Sequence, residues 1–413
     1  FLYSCLLISR NSFMIYDFTI AGAGIVGLST AYKLSLRFPD ANILVVEKED
    51  RVAAHQTGHN SGVIHSGIYY RPGSYRARNC VDGRHQLVSF SEENGVKYEM
   101  CGKVIVAANE EEMIRLDEIY QRGIENEIEG IKMVSGEELR QIEPYAAGVR
   151  AIHVPCAGIV DFPGVCRKLS EKLTLAGHTV RFSSEVMAVI QTNGLLTVKL
   201  KSDSVRTRFF INCAGLHSDR VAKRSGVNSP VKIVPFRGEY FELTPEAARK
   251  VNGLIYPLPN PDFPFLGVHF TRMALGGVEC GPNAVFSFKR EGYKKTSFDV
   301  ADTIETVDFP GFWTLSRKHW KTGLDEMYRS FYKTGFLRKL QKLIPSVSKE
   351  DLIGSPSGVR AMALGADGEI LDDFYFETTE NEIHVLNAPS PAATAGLAIG
   401  DEIVKRAEKT FAL

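Results

Sequence analysis

Apolar positions change their period repeatedly along this chain, and the changes mark its elements. Phe18, Thr19, Ile20 and Ala21 make a short buried strand, Leu28 to Leu36 has helical character, and the β-branched run Ile43 to Val46 reads as a second strand. Residues 158–182 read as a helix followed by a strand. Glu185–Val189 and Leu195–Leu200 alternate as strands, and Phe209–Cys213 is a buried strand running into Ala214-Gly215. Between roughly 226 and 354 the pattern turns to aromatic-rich strands and then basic helices. After 355 the run GVRAMA reads as a strand, and AATAGLAIGDEIVKRAEK closes the chain as a helix.

Composition narrows the class without naming a function. The chain has 413 residues, 44% hydrophobic and 24% charged, enough for two or three domains with a sizeable core. Lys plus Arg and Asp plus Glu both number 49, so no global field favours nucleic acid. Mean hydropathy is −0.09, and no apolar run approaches the ~18 residues of a membrane span. Seven cysteines (Cys5, Cys80, Cys101, Cys156, Cys166, Cys213, Cys280) lie scattered with no CxxC pair, which reads as reduced thiols in a cytoplasmic setting.

The first chemistry-bearing feature lies between the first strand and the first helix. Gly22, Gly24 and Gly27 stand at GxGxxG spacing. Gly22 permits the tight turn, Gly24 lets the backbone approach a pyrophosphate, and Gly27 lets the helix pack on the strand. The helix N-terminus adds free N–H groups and a positive dipole end. Glu47, closing the second strand, is placed to accept hydrogen bonds from a ribose. Together these specify a dinucleotide, NAD or FAD. After Glu47 come Lys48, Glu49 and Asp50 and then VAAHQTGHNSGVIHSGIYYRPGS, a segment dense in small and hydrogen-bonding residues. A plain NAD unit needs no such loop, whereas an extended FAD must have its flavin cradled away from the adenine.

The segment from Tyr16 to Ser74 resembles the FAD-dependent oxidoreductases of the D-amino-acid oxidase superfamily. More narrowly, HQTGHNSGVIHSGIYY resembles the L-2-hydroxyglutarate dehydrogenases and oxidases. The resemblance continues in CGKVIVA (101–107), PFRGEYF (235–241), FLGVHFTRM (265–273), GPNAVFSFKREGY (281–293), GVRAMA (358–363) and NAPSPAATAG (387–396). It implies an α/β fold in which a Rossmann-like FAD-binding domain (14–90, 151–225 and 355–413) is interleaved with an α+β substrate domain (91–150 and 226–354). The latter would be built on a mostly antiparallel sheet. Residues 1–13 are read as an extra segment, either translated upstream sequence before Met14 or a fragment of an organelle-targeting peptide.

The resemblance also implies cofactor contacts. Lys48, Thr57, His59, Asn60, Ser61 and Gly62 would join the glycines and Glu47, and the backbone of Val186 would meet the adenine. Ala214 and Gly215 would close over the dinucleotide, and the Asp367-Gly368 turn would lie near the flavin. Asn387, Ser390, Ala392, Ala393 and Thr394 would lead into a helix aimed at the flavin pyrimidine ring. The implied reaction is oxidation of L-2-hydroxyglutarate to 2-oxoglutarate, with hydride passing from C2 to flavin N5 and electrons going on to a quinone or oxygen. A glycine- or sarcosine-type amino-acid oxidase and a non-catalytic flavoprotein scaffold are the alternatives.

Such a reaction needs a carboxylate clamp, a neutral imidazole within reach of the hydroxyl and, for a dicarboxylate, a second cationic or donor-rich clamp. Arg360, in a G-x-R strand motif, is the first clamp; the rival is a structural pair with an acid such as Asp372. Arg237 is the second, with Tyr240 as a donor beside it; the rival is a brace at a domain junction. His65, His269 and His59 compete as the base, His59 alternatively as a flavin contact, and Tyr70 and Tyr256 line the pocket. Metal-ligand spacing, GxSxG and paired-carboxylate hydrolase patterns are absent. Finally, residues 310–345 combine Trp313 and Trp320 with eight Lys or Arg and only Asp325 and Glu326. That segment is either a packed helix pair with a solvated basic face or a membrane-surface contact. The location expected is cytoplasmic, peripheral on the inner membrane under the second reading, and mitochondrial in a eukaryote.

Overall fold

A computed structural model describes residues 14–259 and 267–413. The extra segment 1–13 with Cys5, and the first two residues of FLGVHFTRM, lie outside the described residues. Two eight-stranded sheets organise the chain.

The first sheet grows from the glycine motif. Ile15–Ala21 sits between Ile43–Val46 and Ser204–Asn212, parallel to both, and Thr179–Arg181 and Glu382–Asn387 extend the parallel core on either side. A hairpin, Val186–Thr192 and Leu195–Leu200, pairs antiparallel with the start of Ser204–Asn212, and Tyr375–Thr378 pairs antiparallel with Glu382–Asn387. All four residues of Ile43–Val46 are buried, as a strand covered on both faces by helices requires. Leu28, Ala31 and Leu34 of the helix Ile25–Arg37 share one core with Val165, Leu169 and Leu173 of Phe162–Leu175 and with Ile399, Ile403 and Ala407 of Gly396–Phe411.

The second sheet runs 352–354, 241–243, 278–281, 269–272, 254–257, 103–107, 150–154, 132–135, and only the 254–257 and 103–107 pair is parallel. Its two faces are distinct. Ile105, Leu254 and Tyr256 pack in one apolar cluster, while Val104, Val106, Ile255 and Phe270 pack in another. Side chains alternate along a strand, so Lys103 lies on the Ile105–Tyr256 face. That face looks towards the loop carrying Ile68 and Tyr69, which belong to the same cluster.

Two details depart from the sequence reading. Arg150–Val154 pairs within the second sheet, so the chain leaves that sheet after Val154 and not at 151. Gly358–Leu364 does not join the parallel sheet; it pairs with Lys232–Gly238, which also pairs with Val285–Phe286, in a separate three-stranded sheet. The chain re-enters the parallel sheet only at Glu382–Asn387. Periodicity identifies a strand but not its neighbour, which explains both differences.

Candidate active site

A cavity of about 840 Å³ runs between the two sheets. One end is shaped by backbone. Gly22 has φ +107°, and a Cβ there would lie 2.5 Å from the carbonyl oxygen of Cys213. Gly27 does not line the cavity; a Cβ on it would lie 2.0 Å from the Gly22 carbonyl oxygen, so its role is close helix-to-turn packing. The helix Ile25–Arg37 starts at Gly24 with no side-chain cap and no acid in its first turn, leaving its N-terminus suited to an anion. Thr57 Oγ1 accepts the Ile25 N–H at 3.1 Å, and Glu47 Oε2 accepts the Ala23 N–H at 2.7 Å, which holds the acid beside the glycine turn.

Around this end the cavity wall includes Gly22, Gly24, Glu47, Lys48, Thr57, Val186, Ala214 and Gly215. Lys48 pairs with Glu49 and, at 2.6 Å, with Glu291. Glu291 also accepts from His217 at 2.8 Å. Burial opposes ionisation of Glu291, but the hydrogen bonds from His217 and Lys48 hold it well below the usual carboxylate range. Glu49, His55 and Glu291 bring ligand-type atoms together, yet the Lys48 ammonium already supplies the cation among them.

Further along, His59, Asn60, Ser61, Asn387, Ser390, Ala392 and Ala393 line the wall. His59 stacks on Tyr293 with ring centroids 4.4 Å apart, and its Nδ1 donates to the His55 carbonyl at 2.9 Å. Gly62 and Thr394 stand behind the wall. Thr394 Oγ1 accepts the His65 N–H and donates to the Val63 carbonyl, tying the histidine-rich loop to the segment before the last helix. Arg76, which sequence reasoning missed, lines the cavity over the Tyr70 ring and donates to the carbonyls of Ser390 and Asp372. It fixes the 388–393 loop, and a lone arginine in a polar helix gives no signal of that task.

The other end is shaped by side chains. His65, Tyr70, Tyr240, Tyr256, His269 and Arg360 all line it. His269 Nδ1 lies 2.7 Å from the Gly267 carbonyl. A carbonyl only accepts, so Nδ1 carries the proton and Nε2 keeps a lone pair. Burial pushes this imidazole down to about 3, against the Gly267 hydrogen bond, and the charges of Lys103 and Arg360 add to the effect. Burial likewise drives His65 well down, with Lys103, His269 and Arg76 contributing. Both imidazoles are therefore neutral near pH 7. Burial pushes the Tyr240 hydroxyl up to about 12, with Arg360 opposing, so it remains a donor. Arg360 also donates to the Asn283 carbonyl at 3.3 Å.

Two expected residues are not part of the wall. Arg237 is buried in an ion pair with Glu239, donating at 3.1 and 2.9 Å, and also donates to the Lys294 carbonyl. Glu239 is further satisfied by Asn283 and Ser330, so the junction brace is the reading that fits the contacts. Asp367 accepts the Glu369 N–H in a turn packed near Thr314 and Gly311, away from the cavity. The wall near that turn is made by Ile370, Leu371 and Asp372 instead.

A family model described as FAD dependent oxidoreductase matches residues 17–406. An L-2-hydroxyglutarate dehydrogenase of Indibacter alkaliphilus is 48% identical over 399 residues, covering 96% of this chain and 100% of the relative. That of Escherichia coli K12 is 44% identical, covering 96% and 94%, and the mitochondrial one of Homo sapiens is 40% identical, covering 96% and 90%. Among solved structures, an FAD-bound L-alpha-glycerophosphate oxidase of Mycoplasma pneumoniae shares the fold with a TM-score of 0.78 at 23% identity, covering 95% of this chain and 94% of its own. A glycine oxidase of Geobacillus kaustophilus does so at 0.72 and 15%, covering 95% of each chain. The glycine turn, the uncapped helix end and the elongated cavity fit an extended FAD.

Proposed function

Because the chain belongs to the L-2-hydroxyglutarate dehydrogenases within the FAD dependent oxidoreductase family, we propose that it oxidises L-2-hydroxyglutarate to 2-oxoglutarate, with a quinone or oxygen as final acceptor. The observation that carries this reading is His269, a neutral imidazole with its proton fixed on Nδ1, sharing one cavity with Arg360, Tyr240 and the dinucleotide cradle.

Arg360 holds the C1 carboxylate through its two-pronged guanidinium, and the Tyr240 hydroxyl donates to the same group. His269 Nε2 accepts the proton of the C2 hydroxyl. Bound FAD supplies the acceptor for the hydride leaving C2, so loss of one proton and one hydride converts the alcohol into the ketone. Before substrate binds, burial and the cations at Lys103 and Arg360 keep His269 unprotonated. An arriving carboxylate offsets those charges and raises the affinity of Nε2 for the proton when it is needed. His65, the second neutral imidazole, faces the same cavity and orients the hydroxyl.

An anaerobic titration tests the reading. L-2-hydroxyglutarate, and not the D enantiomer, is expected to bleach the ~450 nm band of the bound flavin. Bleaching by glycine or sarcosine instead sends the enzyme to the amino-acid oxidases, and failure of every 2-hydroxy acid leaves only a flavoprotein scaffold.

A peripheral membrane contact is part of the same proposal. No helix among the described residues is long and apolar enough to cross a membrane. Trp313, Trp320 and Leu324 of the helix Pro310–Phe331 are nevertheless exposed beside exposed Arg317, Lys318 and Lys321. The segment kinks at His319, with Trp313, Arg317 and Lys318 before the kink and Trp320, Lys321 and Leu324 after it; aromatic and basic side chains exposed on both pieces suit an anionic lipid surface, where quinones dissolve. Co-sedimentation with anionic vesicles at low salt is expected, and its absence removes the contact.

A further inference from the structure

We propose that Lys103 binds the far (C5) carboxylate of the substrate and so selects a dicarboxylate, an inference that rests on the L-2-hydroxyglutarate reading above. A dicarboxylate brings two negative charges, and Arg360 and Tyr240 serve one of them. Arg237, the second clamp expected from sequence, is committed to Glu239. The arginines that line the cavity besides Arg360, namely Arg76, Arg115 and Arg122, donate to the main-chain carbonyls of Ser390 and Asp372, of Pro259 and of Tyr69, whereas Lys103, set just behind the wall that Tyr69 and Tyr256 form, is a cation whose task within the fold these contacts leave unexplained.

Lys103 is only 1% exposed, deeper than almost any other charged residue of this chain. Its Nζ lies 4.4 Å from the centroid of the Tyr256 ring and 5.2 Å from that of Tyr69, and both rings line the cavity. Aromatic faces attract an ammonium but do not neutralise it. Among the described residues no carboxylate pairs with it, and the charged forms nearest to it are thiols. A buried ammonium is expensive until an anion joins it. Tyr256 also stacks on His269 with centroids 3.9 Å apart. The proton acceptor for the C2 hydroxyl and this cation therefore both contact the Tyr256 ring, which places the cation close to the substrate end of the cavity. Burial lowers the Lys103 ammonium to about 8, so it is charged at neutral pH and gains a firmer hold on its proton when an anion arrives.

The holoenzyme can be titrated anaerobically with L-2-hydroxyglutarate and with L-2-hydroxyvalerate, which keeps the five-carbon chain but lacks the second carboxylate. Lys103→Met is expected to raise the Kd for L-2-hydroxyglutarate on the order of 10- to 100-fold and to leave that for L-2-hydroxyvalerate within about threefold. Lys103→Arg restores part of the preference. Equal losses for both substrates, or an unchanged Kd for L-2-hydroxyglutarate, overturn the proposal.

If Lys103→Met holds no FAD, the wild-type holoenzyme answers with two unreactive ligands, glutarate and valerate, read by perturbation of the flavin spectrum. Glutarate affinity is expected to fall between about pH 7 and about pH 9.5 while valerate affinity stays level. Over that range His65 and His269 are already neutral, and Tyr69, Tyr256, Cys80, Cys101 and Cys156 are held protonated by burial. Parallel curves for the two ligands overturn the assignment. A wild-type flavin that L-2-hydroxyglutarate does not reduce is a failure of the proposed reaction itself, and the first titration shows it separately.

Discussion

The two ends of the cavity are built by opposite means. At the adenosine end the walls are backbone: a Cβ at Gly22 would meet the Cys213 carbonyl oxygen, and one at Gly24 or Gly215 would crowd the side chain of Thr57 or Gln56, while the acid and hydroxyl of Glu47 and Thr57 serve to hold main-chain N–H groups. At the substrate end the walls are side chains from separate strands. Tyr256 and His269 come from the second sheet, with Lys103 of the same sheet directly behind Tyr256, Arg360 comes from the three-stranded sheet, and His65 follows the short strand Val63–Ile64. A site shaped by backbone is intolerant of one added carbon and indifferent to modest changes of charge. A site shaped by side chains absorbs changes of shape but depends on the charge and protonation state of each member.

The largest effect should follow from one methyl group at the backbone end. Gly27→Ala places a carbon 2.0 Å from the Gly22 carbonyl oxygen, where only backbone can yield. Purified protein is expected to carry no flavin, as read from its visible spectrum. Normal flavin content would break the contrast between the two ends.

His269→Gln should leave flavin content normal and slow flavin reduction by roughly 10²–10⁴-fold, the usual worth of a positioned acid–base group. The pH dependence sharpens this. The folded imidazole sits at about 3, below an ordinary ~6.5. Below ~6.5 the unfolded chain takes up a proton that the folded chain refuses, so this group erodes stability progressively as pH falls from ~6.5 towards 3. His269→Gln is expected to flatten that part of the stability curve, measured as Tm against pH. In the free enzyme this group should add no loss of activity near pH 6.5.

Arg237→Gln should have the smallest effect on substrate. Breaking a buried ion pair typically costs about 3–5 kcal/mol of stability, so Tm falls. Below the new Tm, flavin reduction should keep its Kd for L-2-hydroxyglutarate within about threefold. A large rise in that Kd would return Arg237 to the site.

Legibility followed the same division. The glycine motif, Glu47 and the loop after it are contiguous, and turn geometry, helix polarity and ligand contact all depend on neighbours in sequence; these were readable one residue at a time. Sequence does not single out Lys103, although it opens the otherwise apolar run KVIVA, because a lysine at the start of a strand normally faces water. Arg237 misled for the converse reason. A strand arginine close to a tyrosine suits a clamp, and nothing in sequence revealed that Glu239, two residues on and on the same side of the strand, would claim it.

The sequence by itself determined that the chain binds a dinucleotide, which strands and helices surround the glycine turn, and that Arg360 and the histidines are the chemistry to follow. The tertiary structure decided which of those side chains meet. It joined Gly358–Leu364 to Lys232–Gly238, brought both Lys103 and His269 against the Tyr256 ring, and removed Arg237 and Asp367 from the wall. Local geometry is fixed by local interactions, whereas the partner of a strand, and the burial that sets a side chain's charge, depend on residues far away along the chain.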